Sequence, residues 1–485
     1  MQRNSPTGLF TPRGWGLLSA GCASLLGAAV LGRRDLLAVA VLLIGLPLLA
    51  ALLLRVVRPR FDVERSFAPP LVETGTAATV TLSISGPGGQ APSAKMREGL
   101  PLRFGQSPTF RFPSGHAVDG RPSVYEYRLR SSRRGLYDIG PVTAEFLDPF
   151  GLARTTHTLG GTDQLAVAPA PLELPGLPLA GALGQEGTAP SRRRGIPSED
   201  DASTREYRYG DPMRRVHWAA AARHGELMVR QEEPVTAPTA SIVLDQRAAS
   251  YGYGSFASGS LFGADGDSGL LTTDSFEWAV SAVMSSAVFF AEGGYSVRFV
   301  DEAGSAGLFR SPSAVDSGQS GFRGPDEVQN LAEGLAALGL DARDQPEARE
   351  QHGMQEAPGV PSRTAFGEIL LDGLAGGHRP GPLLAVAGRM TAAEATALAP
   401  AAAYSPQPMA LLVTDRPADL RPALKILRDA GWLAAAVTPA TAVPAAWALL
   451  DQDDPGHRGG AGTGSTPDSR RTAADAGSAV GSRPL

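Results

Sequence analysis

The densest set of reactive side chains lies between Arg205 and Trp218: Arg-Glu-Tyr-Arg-Tyr-Gly-Asp-Pro-Met-Arg-Arg-Val-His-Trp. Fourteen positions hold four arginines, two tyrosines, a histidine and a tryptophan around a Gly-Asp-Pro break. Arg205 and Arg214 could bind carboxylates bidentately, Tyr207 and Trp218 could supply packing area, and His217 could serve as a general base if it had a partner. Gly210 permits a turn, Asp211 is a cap residue, and Pro212 suits the first helical position. The spacing therefore predicts a helix from Pro212. Arg214, His217, Ala221 and His224 would lie along one side of it, and Met213, Val216 and Ala220 along the buried side. Seven residues separate His217 from His224, about 10.5 Å along a helix, too far for one metal ion. Without a partner for His217, structural packing of His217 and Trp218 is the favoured reading.

A second set consists of acids at strand ends. Ala240–Leu244 reads as a short buried strand followed by Asp245, and Met409–Thr414 as another followed by Asp415. Nucleophilic chemistry finds less support. Gly254–Leu261 contains serines, but no strand leads into a sharp turn there as a Gly-x-Ser-x-Gly elbow requires. No phosphate-cradling Gly-x-x-x-x-Gly-Lys is present, so the chain is not itself a P-loop ATPase. The single cysteine, Cys22, sits in an apolar run, which removes disulfides and cysteine-based zinc sites. A formal net charge of -5 argues against a dedicated nucleic-acid binder. Three functional classes remain: a scaffold or adaptor, a hydrolase using the Arg205–Trp218 region, and a weak nucleic-acid binder.

The elements that must position these residues follow from patterning. At 485 residues, with 58 glycines and 40 prolines, the chain has room for several domains and long loops. Residues 1–60 read as a transmembrane helical hairpin, with apolar runs at about 15–31 and 36–54 joined by Gly32–Asp35. A signal peptide followed by one helix is an alternative that needs a clear cleavage site. Leu18–Cys22 faintly resembles a lipoprotein box, in which Ser19 fits poorly. Arg3, Arg13, Arg55, Arg58 and Arg60 flank the pair against Arg33 and Arg34 in the turn, which favours cytoplasmic termini and soluble domains.

Residues 61–168 alternate in short β-branched runs (Thr79–Ser85, Val124–Arg130, Val142–Leu147, Gln164–Ala168), which predicts a β-sandwich-like domain. Residues 169–198 read as a linker whose Arg192–Arg194 triplet is a solvated charge run or a contact with acidic lipid or nucleic acid near the membrane. From 199 to 451 the order of strands and helices predicts an α/β domain with a mostly parallel sheet, interrupted by Gly/Ser-rich loops at 249–274 and 304–324. Residues 452–485 have the composition of a disordered tail.

The strand, acid and crossover-helix order resembles the von Willebrand factor A domain, which binds a divalent cation through Asp-x-Ser-x-Ser. Here the segment is Asp245-Gln246-Arg247-Ala248-Ala249, with arginine and alanine where the serines would stand. Asp245 and Asp415 are thus degenerate metal-site positions. No cofactor is expected, and Asp245 is expected to pair with Arg247 or to cap a helix.

The chain also resembles domain-of-unknown-function family 58. The resemblance rests on Arg205, Tyr207, Gly210, Asp211, Arg214, Val216, His217 and Trp218, with Ala222-Arg223 and Leu227-x-Val229-Arg230-x-x-Glu233 beyond them. A second block comprises Arg133-Arg134-Gly135-x-Tyr137-x-x-Gly140-Pro141 and Asp148-Pro149-Phe150-Gly151-Leu152. The resemblance implies a membrane protein without established enzyme activity. It would work with a MoxR-type AAA+ ATPase and with a membrane transglutaminase-like protein. Arg205, Tyr207, Gly210, Asp211, Arg214, His217, Trp218 and Arg223 are then interface candidates, and the lipid bilayer, rather than nucleic acid, is the remaining partner.

Overall fold

The computed structural model describes residues 8–56, 61–86, 94–112, 122–177, 204–207, 216, 218–230, 237–252, 270–341, 364–376 and 380–452. Helix α1 (Pro12–Leu31) and helix α2 (Arg34–Val56) are both long and apolar enough to cross a membrane. Thr11 caps α1, its hydroxyl accepting from Gly14 N at 3.2 Å, and Pro12 opens the helix. Each helix extends the apolar run read from sequence by a few residues, because Pro12–Gly14 and Arg34–Asp35 are helical although they lie outside the apolar runs. Gly21 lets the two helices touch: a Cβ there would lie 2.6 Å from Ile44 Cγ1.

Ten strands follow: β1 (Asp62–Ala68), β2 (Leu71–Glu73), β3 (Ala77–Ser85), β4 (Ala94–Glu98), β5 (Thr109–Phe112), β6 (Ser123–Arg130), β7 (Gly135–Ile139), β8 (Val142–Leu147), β9 (Arg154–Leu159) and β10 (Asp163–Ala168). They form three small sheets, ordered β1-β3-β6, β2-β10-β7 and β5-β4-β8-β9. Strand β3 shows why they pack: Ala78, Val80, Leu82 and Ile84 are buried and the residues between them are not. Leu82 and Ile84 meet Met96, Val142 and Phe146 from β4 and β8, while Ala78 and Val80 meet Tyr137, Ile139, Leu165 and Val167 from β7 and β10. One sheet thus faces two others across a shared interior.

Beyond Ala168 the expected linker does not begin at once. Leu172 N donates to Ser285 Oγ at 3.0 Å, and Leu174 and Leu177 are buried in the core of the next domain. Two leucines with a place to go make the first part of this stretch a docked strap. Residues 178–203, with the arginine triplet, lie outside the described residues.

The family-signature segment is small. Strands β11 (Thr204–Glu206) and β12 (Met228–Arg230) pair antiparallel, and helix α3 (Trp218–His224) joins them. Strand β13 (Thr239–Leu244) starts the large sheet, followed by helix α4 (Asp274–Glu292), β14 (Ser296–Asp301), β15 (Gly321–Phe322), helix α5 (Gly324–Ala336), β16 (Pro380–Ala387), β17 (Pro408–Val413) and β18 (Leu433–Val437). Its order is β15-β14-β13-β16-β17-β18, parallel except for β15 at the edge. Helices cover both faces, as an apolar parallel sheet requires. Ile242 and Leu244 point toward α4, α5 and the helix Val443–Gln452, whereas Val243 points toward the helices Glu368–Ala375, Ala392–Leu398 and Arg421–Asp429.

The loop 304–324 is ordered despite its Gly/Ser composition. Ser311 Oγ and Ser313 Oγ donate to Gly334 O and Glu333 O, each at 2.5 Å, and Leu308 is buried. The irregular stretch 352–363, the core of the 249–274 loop and the tail from 453 lie outside the described residues.

Candidate functional site

Two placements correct the sequence reading of the Arg205–Trp218 region. Val216 is not helical: it bridges Val229 antiparallel, extending the little β11–β12 sheet, and both valines are buried. A β-branched residue facing a strand edge gains more from that pairing than from the helix start. The described helix is Trp218–His224, and Pro212–Arg215 and His217 lie outside the described residues. Trp218, expected to pack, is 65 % exposed on α3, a helix of only seven residues that lies against β12. Tyr207 is half-buried, its N–H donating to Leu227 O at 2.8 Å, and Arg223 is exposed and engaged in a contact of its own. Arg205 is in β11. Its side chain, together with Gly210, Asp211, Arg214 and His217, lies outside the described residues.

The strand-end acids do not form one site. Asp245 follows β13 and Asp415 follows β17, with β16 between them, so the two lie roughly 10 Å apart across the sheet at the usual strand spacing. Their surroundings also differ.

Asp245 is buried at the crevice between β13 and β16, where chain direction across the sheet reverses and open α/β sheets place ligands. Here the chain fills that crevice itself. Arg247 donates through Nε to Asp245 Oδ1 at 3.0 Å and through Nη2 to Oδ2 at 2.8 Å, and its Nη1 reaches Glu394 Oε1 at 2.5 Å. The Arg247 backbone N–H and the Ser250 hydroxyl also donate to Asp245. Burial works against the guanidinium charge, but the hydrogen bonds and charges of Asp245 and Glu394 outweigh it and hold Arg247 above its ordinary value. The turn Ala248–Tyr251 closes the top. Arg389 N donates to Ser250 O at 2.5 Å, and Gly388 is glycine because a Cβ would lie 2.3 Å from that oxygen. This donor set does not fit a divalent cation: the carboxylate oxygens that would coordinate it already accept from Arg247 and Ser250. Among the described residues no group of three or more His, Cys, Asp or Glu is placed to hold a metal.

Beside it, Glu302 and Asp301 end β14. Burial pushes Glu302 up to about 7, reinforced by the charges of Asp245 and Asp301 and opposed by Arg310 and by the N–H of Gln246. Arg310 spans Asp301, Glu302 and Asp341 at 3.6, 3.8 and 3.0 Å.

Asp415 is exposed and lines a cleft of about 770 Å³ between the β domain and the carboxyl end of the sheet. Thr74 and Arg133 form one wall, and Asp274, Trp278 and Thr441 the other. Trp278 Nε1 donates to Thr441 O at 2.6 Å. At the floor lies a residue that the sequence reading placed only within a motif. Arg134, buried on β7's approach, donates through Nε and Nη2 to Glu277 of α4 at 3.0 and 2.8 Å. Its Nη1 donates to Leu335 O and Leu338 O, at the end of α5, at 2.7 and 2.6 Å, and its guanidinium lies 5.6 Å from the Phe276 ring centre. The joint between the domains is therefore made by Arg134 in the second motif block. Its place beside Gly135 in that block was the available signal.

Residues 203–259 match the family model described as Protein of unknown function DUF58. That span holds β11, α3, β12, β13 and Asp245. Comparison with curated proteins gives no match.

Proposed function

We propose that this chain is a membrane-anchored scaffold that holds a protein partner against the β11–α3–β12 segment, with Trp218 as the anchoring side chain. The observation that carries this reading is the exposure of Trp218 inside the family-matched span. A tryptophan left in water on a short helix is the residue type that dominates interface energies when a partner buries it. The filled crevice at Asp245 supports binding over catalysis at the sheet, since Arg247 takes the place a substrate or cation would need. On this reading the large domain is von Willebrand A-like in architecture and works without a metal at Asp245. The helices α1 and α2 form a hairpin in the cell membrane with the soluble domains in the cytoplasm, and the partner is a MoxR-type AAA+ ATPase or its transglutaminase-like neighbour. The resemblance stated for the signature residues supports these last assignments.

The test uses the full chain in lipid nanodiscs and a purified MoxR-type ATPase, in ATP-bound and ADP-bound states. Trp218→Ala is expected to weaken capture by at least about thirtyfold, the effect of a hot spot worth ~2 kcal/mol, with an unchanged thermal midpoint. Equal capture by the variant, or none by the parent chain in either nucleotide state, would refute the proposal.

A further inference from the structure

The β domain meets the membrane helices at an unusual depth. α1 is 20 residues long, about 30 Å, which the hydrocarbon core takes up completely. Its first turn, Pro12–Trp15, must then stand at one boundary of the core. The loop between β8 and β9 binds that same turn. Thr11 donates through its backbone to Leu152 O at 2.9 Å and through its hydroxyl to Gly151 O at 2.6 Å. Gly14 has no room for a side chain, since a Cβ would lie 2.1 Å from Leu152 O. Leu152 and Ala153 pack against Ala50 and Ala51 of α2, with Leu17 and Leu46 beside them. The loop is thus wedged into the base of the hairpin, one to two turns inside both helices.

Its shape is fixed from within. Asp148 Oδ2 accepts from Phe150 N at 2.9 Å, and Oδ1 accepts from Leu152 N and Ala153 N at 2.6 and 2.5 Å. This internal bonding turns Leu152 inward and leaves Phe150 outward at the tip, 63 % exposed. Trp15 is 60 % exposed on the same turn of α1, and Arg13 is exposed between them. Two aromatic rings and a cation at one level are the side chains that settle in the headgroup–acyl boundary.

We infer that the Asp148–Ala153 loop is a second membrane contact. Phe150 enters the lipid interface beside Trp15, and the β domain is held against the bilayer surface by its own loop as well as by its covalent attachment to α2. The inference rests on the reading of α1 and α2 as membrane spans, and the experiment separates the two. An environment-sensitive fluorophore is attached to the full chain through Phe150→Cys, Leu102→Cys or Leu42→Cys, each in a Cys22→Ser background. Each sample is reconstituted in phosphatidylcholine/phosphatidylglycerol nanodiscs, with or without lipids carrying a nitroxide near the headgroup or deep in the chain. Leu102 is as exposed as Phe150 but belongs to the Tyr137 end of the β domain, away from the helices, and Leu42 is an exposed mid-span residue of α2. The expected result is quenching at position 150 by the shallow nitroxide, several-fold above that at position 102, with position 42 quenched by the deep one. Quenching at 42 with positions 150 and 102 alike would overturn the loop contact and leave the spans standing. No quenching at 42 would overturn both.

Discussion

At Glu302 burial and the neighbouring carboxylates set the sign of a pH dependence. The folded value of Glu302 is raised to about 7 by burial and by Asp245 and Asp301, against an ordinary 4.5. The folded chain therefore holds this proton more tightly than the unfolded chain does. The resulting stabilisation is complete below about pH 4.5 and is lost as pH rises through 7. A shift of this size corresponds to roughly 3 kcal/mol across that window. Glu302→Gln keeps the hydrogen-bonding shape without the ionisation, so urea unfolding midpoints measured from pH 4.5 to 8 should fall less steeply for the variant. An unchanged slope would assign the dependence to other groups. The neighbouring Asp245–Arg247 pair shows how far a single residue could be read from sequence. The arginine two positions after a strand-end acid was enough to name this pairing as one of two alternatives, helix capping being the other. Glu394, which completes the grip from 147 residues away, had no sequence signal, because its place depends on the sheet order.

Among the elements, those with clean periodicity were legible. Val142–Leu147 coincides with β8, and Ala240–Leu244 lies within a residue of β13. Strands with other compositions were not legible. β1 reads Asp-Val-Glu-Arg-Ser-Phe-Ala, exposed on one face and only half-buried on the other, and β4 reads Ala-Lys-Met-Arg-Glu, a set of helix formers. β4 is a strand because β5 and β8 pair with it on either side, and because its Glu98 finds Arg65 of β1 at 3.0 Å inside the domain. Gly307 in the loop 304–324 is small for a related reason: a Cβ there would lie 2.5 Å from the Phe299 ring, so the glycine reports close packing. Glycine has the same meaning between α1 and α2. Gly21→Val would place methyl groups where Ile44 now sits and force the helices apart. The variant should lose several degrees of thermal midpoint in mild detergent, whereas Gly45→Val, where a Cβ meets nothing within 4 Å, should not. Equal loss in both would show that the helix pair is not held at Gly21.

At the scale of the whole molecule, the question is what holds the β domain against the α/β domain. The signature segment stood out in the sequence as the densest set of reactive side chains, but among the described residues the buried polar joint is at Arg134. Its position in a domain built mostly from non-local strand pairs hides it, since nothing near it in sequence shows that α4 and α5 will lie opposite. The guanidinium uses its planar fork on Glu277 and its remaining donors on two carbonyls at the end of α5, so three elements from two domains converge on one side chain. Arg134→Met preserves length and apolar contact but leaves Glu277 and the carbonyls of Leu335 and Leu338 without their donor. Removing one member of a buried ion pair costs about 3–5 kcal/mol, and the partial exposure of Glu277 places this case at the lower end or below. Most of that loss falls on the joint rather than on either core. Calorimetry of the full chain in nanodiscs should therefore show one unfolding transition for the parent and two for Arg134→Met, with limited proteolysis newly admitted at the strap after Ala168. Arg134→Lys should resemble Met, because an ammonium cannot reach the carboxylate and both carbonyls in one plane. A single transition at lower temperature in both variants would mean that the Leu172–Leu177 strap, and not Arg134, couples the domains.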